Sequence, residues 1–186
     1  MRLFLALDAG SSRIEKEKLK KLKIGLDKKS IEHRFVSEEQ YHITLVNFGD
    51  MDDIEYEDKD IYIKNIIQEH NCFDLKLSGV WAYPNPNEGR ILWVGVQNSK
   101  ELRSLQEDLV AQIPSICALD FKPTMPLVRM RNHHNVVDII SPYKTLDFGK
   151  LKVNSVILYE MTSGGAYPVL KKLKTYYLGP GLNLGD

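Results

Sequence analysis

The chain has 186 residues, 43% hydrophobic and 27% charged, with 25 basic and 25 acidic side chains and a formal net charge of zero. The composition is that of a globular protein, and the length suits one domain or two small lobes sharing a core. The lack of a basic excess excludes a general polyanion binder but leaves room for a local basic cleft.

The apolar opening Leu3–Leu7 is too short for a secretory signal. No run approaches the roughly 20 apolar residues of a membrane span, so a cytoplasmic protein with no membrane contact is expected. Cys72 and Cys117 lie far apart without metal-ligand spacing, and the expectation is two buried, reduced thiols.

In chain order, Leu3–Leu7 reads as a buried strand ended by Asp8-Ala9-Gly10-Ser11-Ser12. Ser11 or Ser12 is placed to cap the next helix, with Glu15 as capping-box partner. Ile14, Leu19, Leu22 and Leu26 share one face of that helix, and seven lysines lie between Lys16 and Lys29. These lysines are either a solvated face or a contact for an RNA backbone. Ile31–Val36 and Tyr41–Phe48 read as strands with Ser37-Glu38-Glu39-Gln40 between them. The seven acidic residues from Asp50 to Asp60 read as a solvated loop before a helix of roughly Asp58 to His70.

Phe73–Val80 alternates as a half-buried strand, Tyr83–Gly89 is a turn, and Ile91–Val96 is an apolar strand. Ser99 caps a helix whose Leu102, Leu105, Leu109 and Ile113 recur at helical spacing, and Pro114 ends it. Phe121–Met130 reads as a strand, although Pro123 and Pro126 are awkward inside one. Val136–Ile140, Val153–Met161 and Leu173–Leu178 complete the strands. Hairpin-sized links such as Gly79 to Arg90 favour antiparallel pairing. The organisation is α+β with a rough internal duplication.

Tyr41-His42-Ile43-Thr44-Leu45 carries the chemistry. Residues two apart on a strand share a face, so His42 and Thr44 point together. Imidazole moves a proton near neutral pH, and a hydroxyl can donate to a phosphoryl oxygen without adding charge. On their own, the two residues also fit an ordinary exposed pair. Three further ordered stretches give context. They are Arg2-Leu3-Phe4-Leu5-Ala6-Leu7-Asp8; Tyr83-Pro84-Asn85-Pro86 with Arg90-Ile91-Leu92-Trp93-Val94-Gly95-Val96; and Leu158-Tyr159-Glu160 with Ser163-Gly164-Gly165-Ala166-Tyr167. Together with Arg34-Phe35-Val36, His42-Ile43-Thr44-Leu45 and Gly49, the chain resembles the two-histidine phosphoesterases. Within them it is similar to the RNA 2′,3′-cyclic phosphodiesterase group once named 2′–5′ RNA ligases.

The resemblance implies a two-lobed LigT-like α+β fold over residues 1–186. Antiparallel sheets would face each other across a central groove, with helices packed outside and a pseudo-two-fold duplication. It implies metal-independent and cofactor-free chemistry in which one histidine activates water and a second protonates the departing ribose oxygen. The second family motif aligns with Phe121-Lys122-Pro123-Thr124-Met125-Pro126-Leu127-Val128-Arg129. Thr124 stands at the histidine position and Pro126 at the threonine position. A threonine hydroxyl does not titrate near pH 7.

The expected catalytic residues are therefore His42 and Thr44, with Thr124 and Arg129 as phosphate ligands. Tyr167 either stacks on a substrate base or packs beneath its turn. His133 and His134 are surface-loop histidines or a displaced second imidazole. Arg131 shares the Arg129 face or is a surface charge, and His33 and His70 lack context. The expected function is recognition of RNA ends or nucleotides bearing a 2′,3′-cyclic phosphate, with slow hydrolysis to the 2′-phosphate or none. The alternative is a binding module of the same descent that turns nothing over. The expected state is a monomer.

Overall fold

The computed structural model describes residues 2–12, 14–97, 99–113, 121–164 and 167–179; at 53, 54, 163, 164 and 167 it describes backbone only. Nine strands form two antiparallel sheets among the described residues. The first sheet has the order β3-β1-β8-β9, from β1 (Arg2–Asp8), β3 (His42–Asp50), β8 (Ser155–Gly164) and β9 (Tyr167–Tyr177). The second has the order β2-β6-β5-β4-β7, from β2 (His33–Phe35), β4 (Phe73–Tyr83), β5 (Gly89–Val96), β6 (Thr124–His134) and β7 (Asp147–Val153). The helices are α1 (Lys16–Lys28), α2 (Asp53–Glu69), α3 (Lys100–Gln112) and the one-turn α4 (Val137–Ile140). This is the two-lobed, internally duplicated α+β architecture that the resemblance implied.

One apolar cluster runs through both sheets and the helices. Leu3, Leu5 and Leu7 of β1 meet Leu22 and Leu26 of α1, Ile63 and Ile67 of α2, and Leu102, Leu105 and Leu109 of α3. Each such buried side chain contributes about 1.5–3 kcal/mol of transfer free energy. Alternation puts Phe4 and Ala6 on the other face of β1, where they join Ile157 and Tyr159 of β8 in a second, smaller cluster. That second face carries His42.

Several local expectations are corrected. Neither Ser11 nor Ser12 caps α1, which starts after Glu15 with no side-chain cap. Ser12 is buried, and its hydroxyl donates to the Ala9 carbonyl at 2.6 Å, so the turn after β1 takes it from the helix. The acidic stretch is largely helix rather than loop. Asp52 caps α2, accepting from the Glu55 amide at 2.9 Å, while Glu55 accepts from the Asp52 amide at 3.1 Å. Carboxylates there also face the positive end of the helix dipole. Val136–Ile140 is not a strand. Val137–Ile140 turns as α4, its start held by Asn135 Oδ1 accepting from the Val137 amide at 3.1 Å.

β7 lies where no strand was expected, because Gly149 at φ 94° interrupts the alternation of Phe148, Leu151 and Val153. Ser99 caps α3 as expected, accepting from the Leu102 amide at 3.1 Å; Pro114 and Cys117 lie outside the described residues. Cys72 is a half-buried free thiol.

Pro126 is accommodated by a β-bulge. Against β5, Val128 pairs with Leu92 but Pro126 already pairs with Trp93, and β2 pairs only with Val128–Met130. A residue without an N–H is tolerated where the ladder is interrupted.

Candidate functional site

His42 opens β3 opposite Asp8 of β1. It is 5% exposed, and its ring lies 5.6 Å from the Phe4 ring and 5.9 Å from the Tyr159 ring. Its Nδ1 is 2.8 Å from the Gln40 carbonyl oxygen. A carbonyl only accepts, so Nδ1 carries the hydrogen and Nε2 of the neutral ring keeps its lone pair. Burial pushes the pKa of His42 below its ordinary value, the bond to Gln40 opposes that shift, and the positive charge of Arg129 adds to it. The imidazole is therefore held neutral at pH 7 as one fixed tautomer, the state a general base needs.

The facing wall comes from the second sheet, where β6 runs close to β3. Arg129 of β6 and Arg34 of β2 are cross-strand partners, and both line the cleft around His42 with Phe35, Val36 and Gln40. Pro168 and Leu170 of β9 also line it. Arg129 is half-buried, and desolvation lowers its pKa from that of an ordinary guanidinium without approaching neutrality. Two guanidiniums and a neutral imidazole around one cleft can hold an anion and leave a base beside it.

The cross-strand pairings also define the face that β6 turns toward the groove. Arg129 is opposite Ile91, Pro126 is opposite Trp93 and Thr124 is opposite Gly95. Paired residues share a face, and the bulge keeps Arg129, Pro126 and Thr124 together on it. Thr124 is half-buried and Thr44 is exposed; neither lines the immediate cleft around His42. The side chain of Tyr167 lies outside the described residues.

All five histidines of the chain are described, and of these only His42 lines the cleft. His133 and His134 close β6 beyond Arg129, with His134 opposite Gly89. Four or five residues of strand separate them from Arg129, roughly 13–16 Å. His33 is held by the Ile31 carbonyl at 2.8 Å, and His70 pairs with Asp108 at 3.0 Å. Arg131 pairs with Glu32 at 3.3 Å. Among the described residues, no three His, Cys, Asp or Glu side chains converge in a way that would hold a metal ion.

Arg34 and Gln40 were not singled out from sequence. Arg34 sat in a family-like stretch, but its role at the cleft depends on the β2–β6 register. Lys16, Lys20 and Lys23 of α1 flank a groove of about 320 Å³ floored by Leu19, Phe35, Val36 and Tyr41, with Glu38 on its rim. Phe35 and Val36 also line the His42 cleft, so the two hollows adjoin.

The family model described as the 2′-5′ RNA ligase superfamily matches residues 11–134. The RNA 2′,3′-cyclic phosphodiesterase of Archaeoglobus fulgidus is 30% identical over 184 residues, covering 95% of this chain and 99% of that protein. The protein of the same name in Methanocaldococcus jannaschii is 28% identical over 180 residues, covering 92% and 99%. Among solved structures, apo Escherichia coli LigT aligns with a TM-score of 0.71 at 21% identity over 96% of this chain and 98% of that one. A Thermus thermophilus protein, TT0787, also aligns at 0.71, with 21% identity over 95% and 97%. LigT has also been solved in complexes with 3′-AMP and with phosphate.

Proposed function

This chain belongs to the 2′-5′ RNA ligase superfamily, and from that membership we propose that it recognises 2′,3′-cyclic phosphates on RNA ends or nucleotides and hydrolyses them slowly or not at all. The observation that carries the proposal is the cleft in which His42 faces Arg34 and Arg129 with no second histidine in the lining. Curated relatives along nearly the whole chain are named RNA 2′,3′-cyclic phosphodiesterases, which supports the substrate class.

In the proposed reaction, neutral His42 takes a proton from water through Nε2 as that water attacks phosphorus. The bond from phosphorus to the 3′-oxygen breaks and leaves a 2′-phosphate. Arg34 and Arg129 offset the charge gathering on the phosphoryl oxygens. The 3′-oxygen needs a proton as it departs. Thr124 cannot give one near neutral pH, so solvent must supply it, and the loss of a positioned acid costs about 10²–10⁴ in rate. Thr44 and Thr124 serve this scheme as hydroxyl donors at the margins of the phosphate.

Retention without turnover is the second reading, and the absence of another imidazole from the lining favours it. In both readings phosphate binds first. Titration with inorganic phosphate and with 2′,3′-cyclic AMP, followed by thermal shift, is the test. Both ligands should raise the melting temperature at millimolar concentration, less so at high salt. Failure of both would refute the phosphate site.

A further inference from the structure

The face of the second sheet that carries the altered motif also carries most of the exposed aromatic surface of that sheet. Trp93 of β5 is the cross-strand partner of Pro126 on one side and of Trp81 on the other. The two indoles stack with centroids 6.4 Å apart and planes inclined by 28°. Trp81 is 41% exposed and Tyr83, opposite Ile91 on the same face, is 63% exposed. For a tryptophan pair this is unusual, because indoles are normally sheltered and their burial is worth several kcal/mol.

Two glycines let neighbouring backbone pack closely beside the pair. A Cβ on Gly95 would collide with the Ser78 carbonyl oxygen, so glycine lets β5 and β4 approach closely beside Trp81. Gly79, with φ 74°, sits in the bulge that precedes Trp81, where a Cβ would come within 2.6 Å of the Lys144 carbonyl. Pro126 adds an apolar ring beside Trp93.

The guanidinium row and the aromatic row are neighbours. Trp93 lies two residues along β5 from Ile91, which pairs with Arg129. At about 3.3 Å per residue and about 4.8 Å between strands, the Cα atoms of Trp93 and Arg129 are roughly 8 Å apart. One nucleotide spans that interval from phosphate to base.

We propose that Trp81 and Trp93 form a stacking platform for the nucleobase of the ligand whose phosphate sits at Arg34 and Arg129. The inference rests on the proposed phosphate cleft and names what binds beside it. Every base offers a π-face, so the platform tolerates any base and gives nucleotides an advantage over plain phosphate.

Trp81 and Trp93 are the only tryptophans in the chain, so emission excited to the red of the tyrosine band reports on the pair alone. Titrating the full chain with 2′,3′-cyclic AMP should quench the emission, and inorganic phosphate should not. Trp81→Ala should weaken cyclic AMP by about fivefold or more, the scale of losing one stacked base, while phosphate affinity from thermal shift stays as in wild type. Trp81→Phe should restore most of the loss, which separates stacking from general disturbance of the fold. Cyclic AMP that binds without quenching, and with equal affinity in Trp81→Ala, would overturn the platform and leave the phosphate site standing. If neither cyclic AMP nor phosphate binds wild type, the phosphate site fails and the platform with it. Emission that changes with protein concentration but not with cyclic AMP would mark the face as a protein contact and equally refute the proposal.

Discussion

Arg34 and Arg129 lie directly opposite one another in the β2–β6 ladder, and both turn toward the cleft that holds His42. Like charges in that relationship work against the sheet by a few tenths to about 1 kcal/mol. A bound anion reverses the sign of the interaction. Arg129→Gln should therefore change the stability of the ligand-free protein by less than about 1 kcal/mol, yet remove most of the stabilisation by phosphate. Denaturation with and without phosphate reads both quantities. Full phosphate stabilisation in the variant would place the anion elsewhere.

His42 predicts a pH dependence of stability. Burial lowers its pKa below 6.5 in the folded protein, so between that lowered value and about 6.5 the unfolded chain binds more protons than the folded one. Stability is then complete above about pH 6.5 and falls as the pH drops through this window. His42→Gln should lose less stability than wild type between neutral and mildly acidic pH. Parallel acid limbs in urea titrations of the two proteins would show that His42 does not titrate with a depressed pKa.

The two serines that precede helices predict different outcomes. Ser99 accepts from the Leu102 amide, so Ser99→Ala should cost about 1 kcal/mol and speed amide exchange in the first turn of α3. Ser12 bonds the Ala9 carbonyl rather than α1, so Ser12→Ala should leave exchange in the first turn of α1 unchanged. Faster exchange there would restore Ser12 as a cap.

That contrast shows what was legible in the sequence. Ser99 stood directly before a clean helical period, so propensity and structure agreed. Ser12 had the right spacing to Glu15, but its buried hydroxyl donates to the Ala9 carbonyl in the turn after β1. Val136–Ile140 has no distinguishing period in five residues, and β7 loses its alternation at Gly149.

The site divides in the same way. The His42 and Thr124 positions came from local motifs and the family resemblance. Arg34, Gln40 and the Trp81–Trp93 pair are brought to the groove by strand register and bulges between distant segments, which composition and local periodicity do not encode.

The most direct measurement is turnover of 2′,3′-cyclic AMP by wild type, by Thr124→His and by Thr124→His with Pro126→Thr, each with and without His42→Ala. Wild type should turn over slowly or not at all. Thr124→His should help in part, since Pro126 still lacks a hydroxyl. The double variant should exceed wild type by about tenfold or more, a barrier lowered by at least roughly 1.4 kcal/mol, and His42→Ala should abolish the gain. Fast wild-type turnover that survives His42→Ala would contradict the assignment of the site. Fast turnover that requires both His42 and one of His133 or His134 would show that a second imidazole reaches the cleft, and would contradict the impaired reaction.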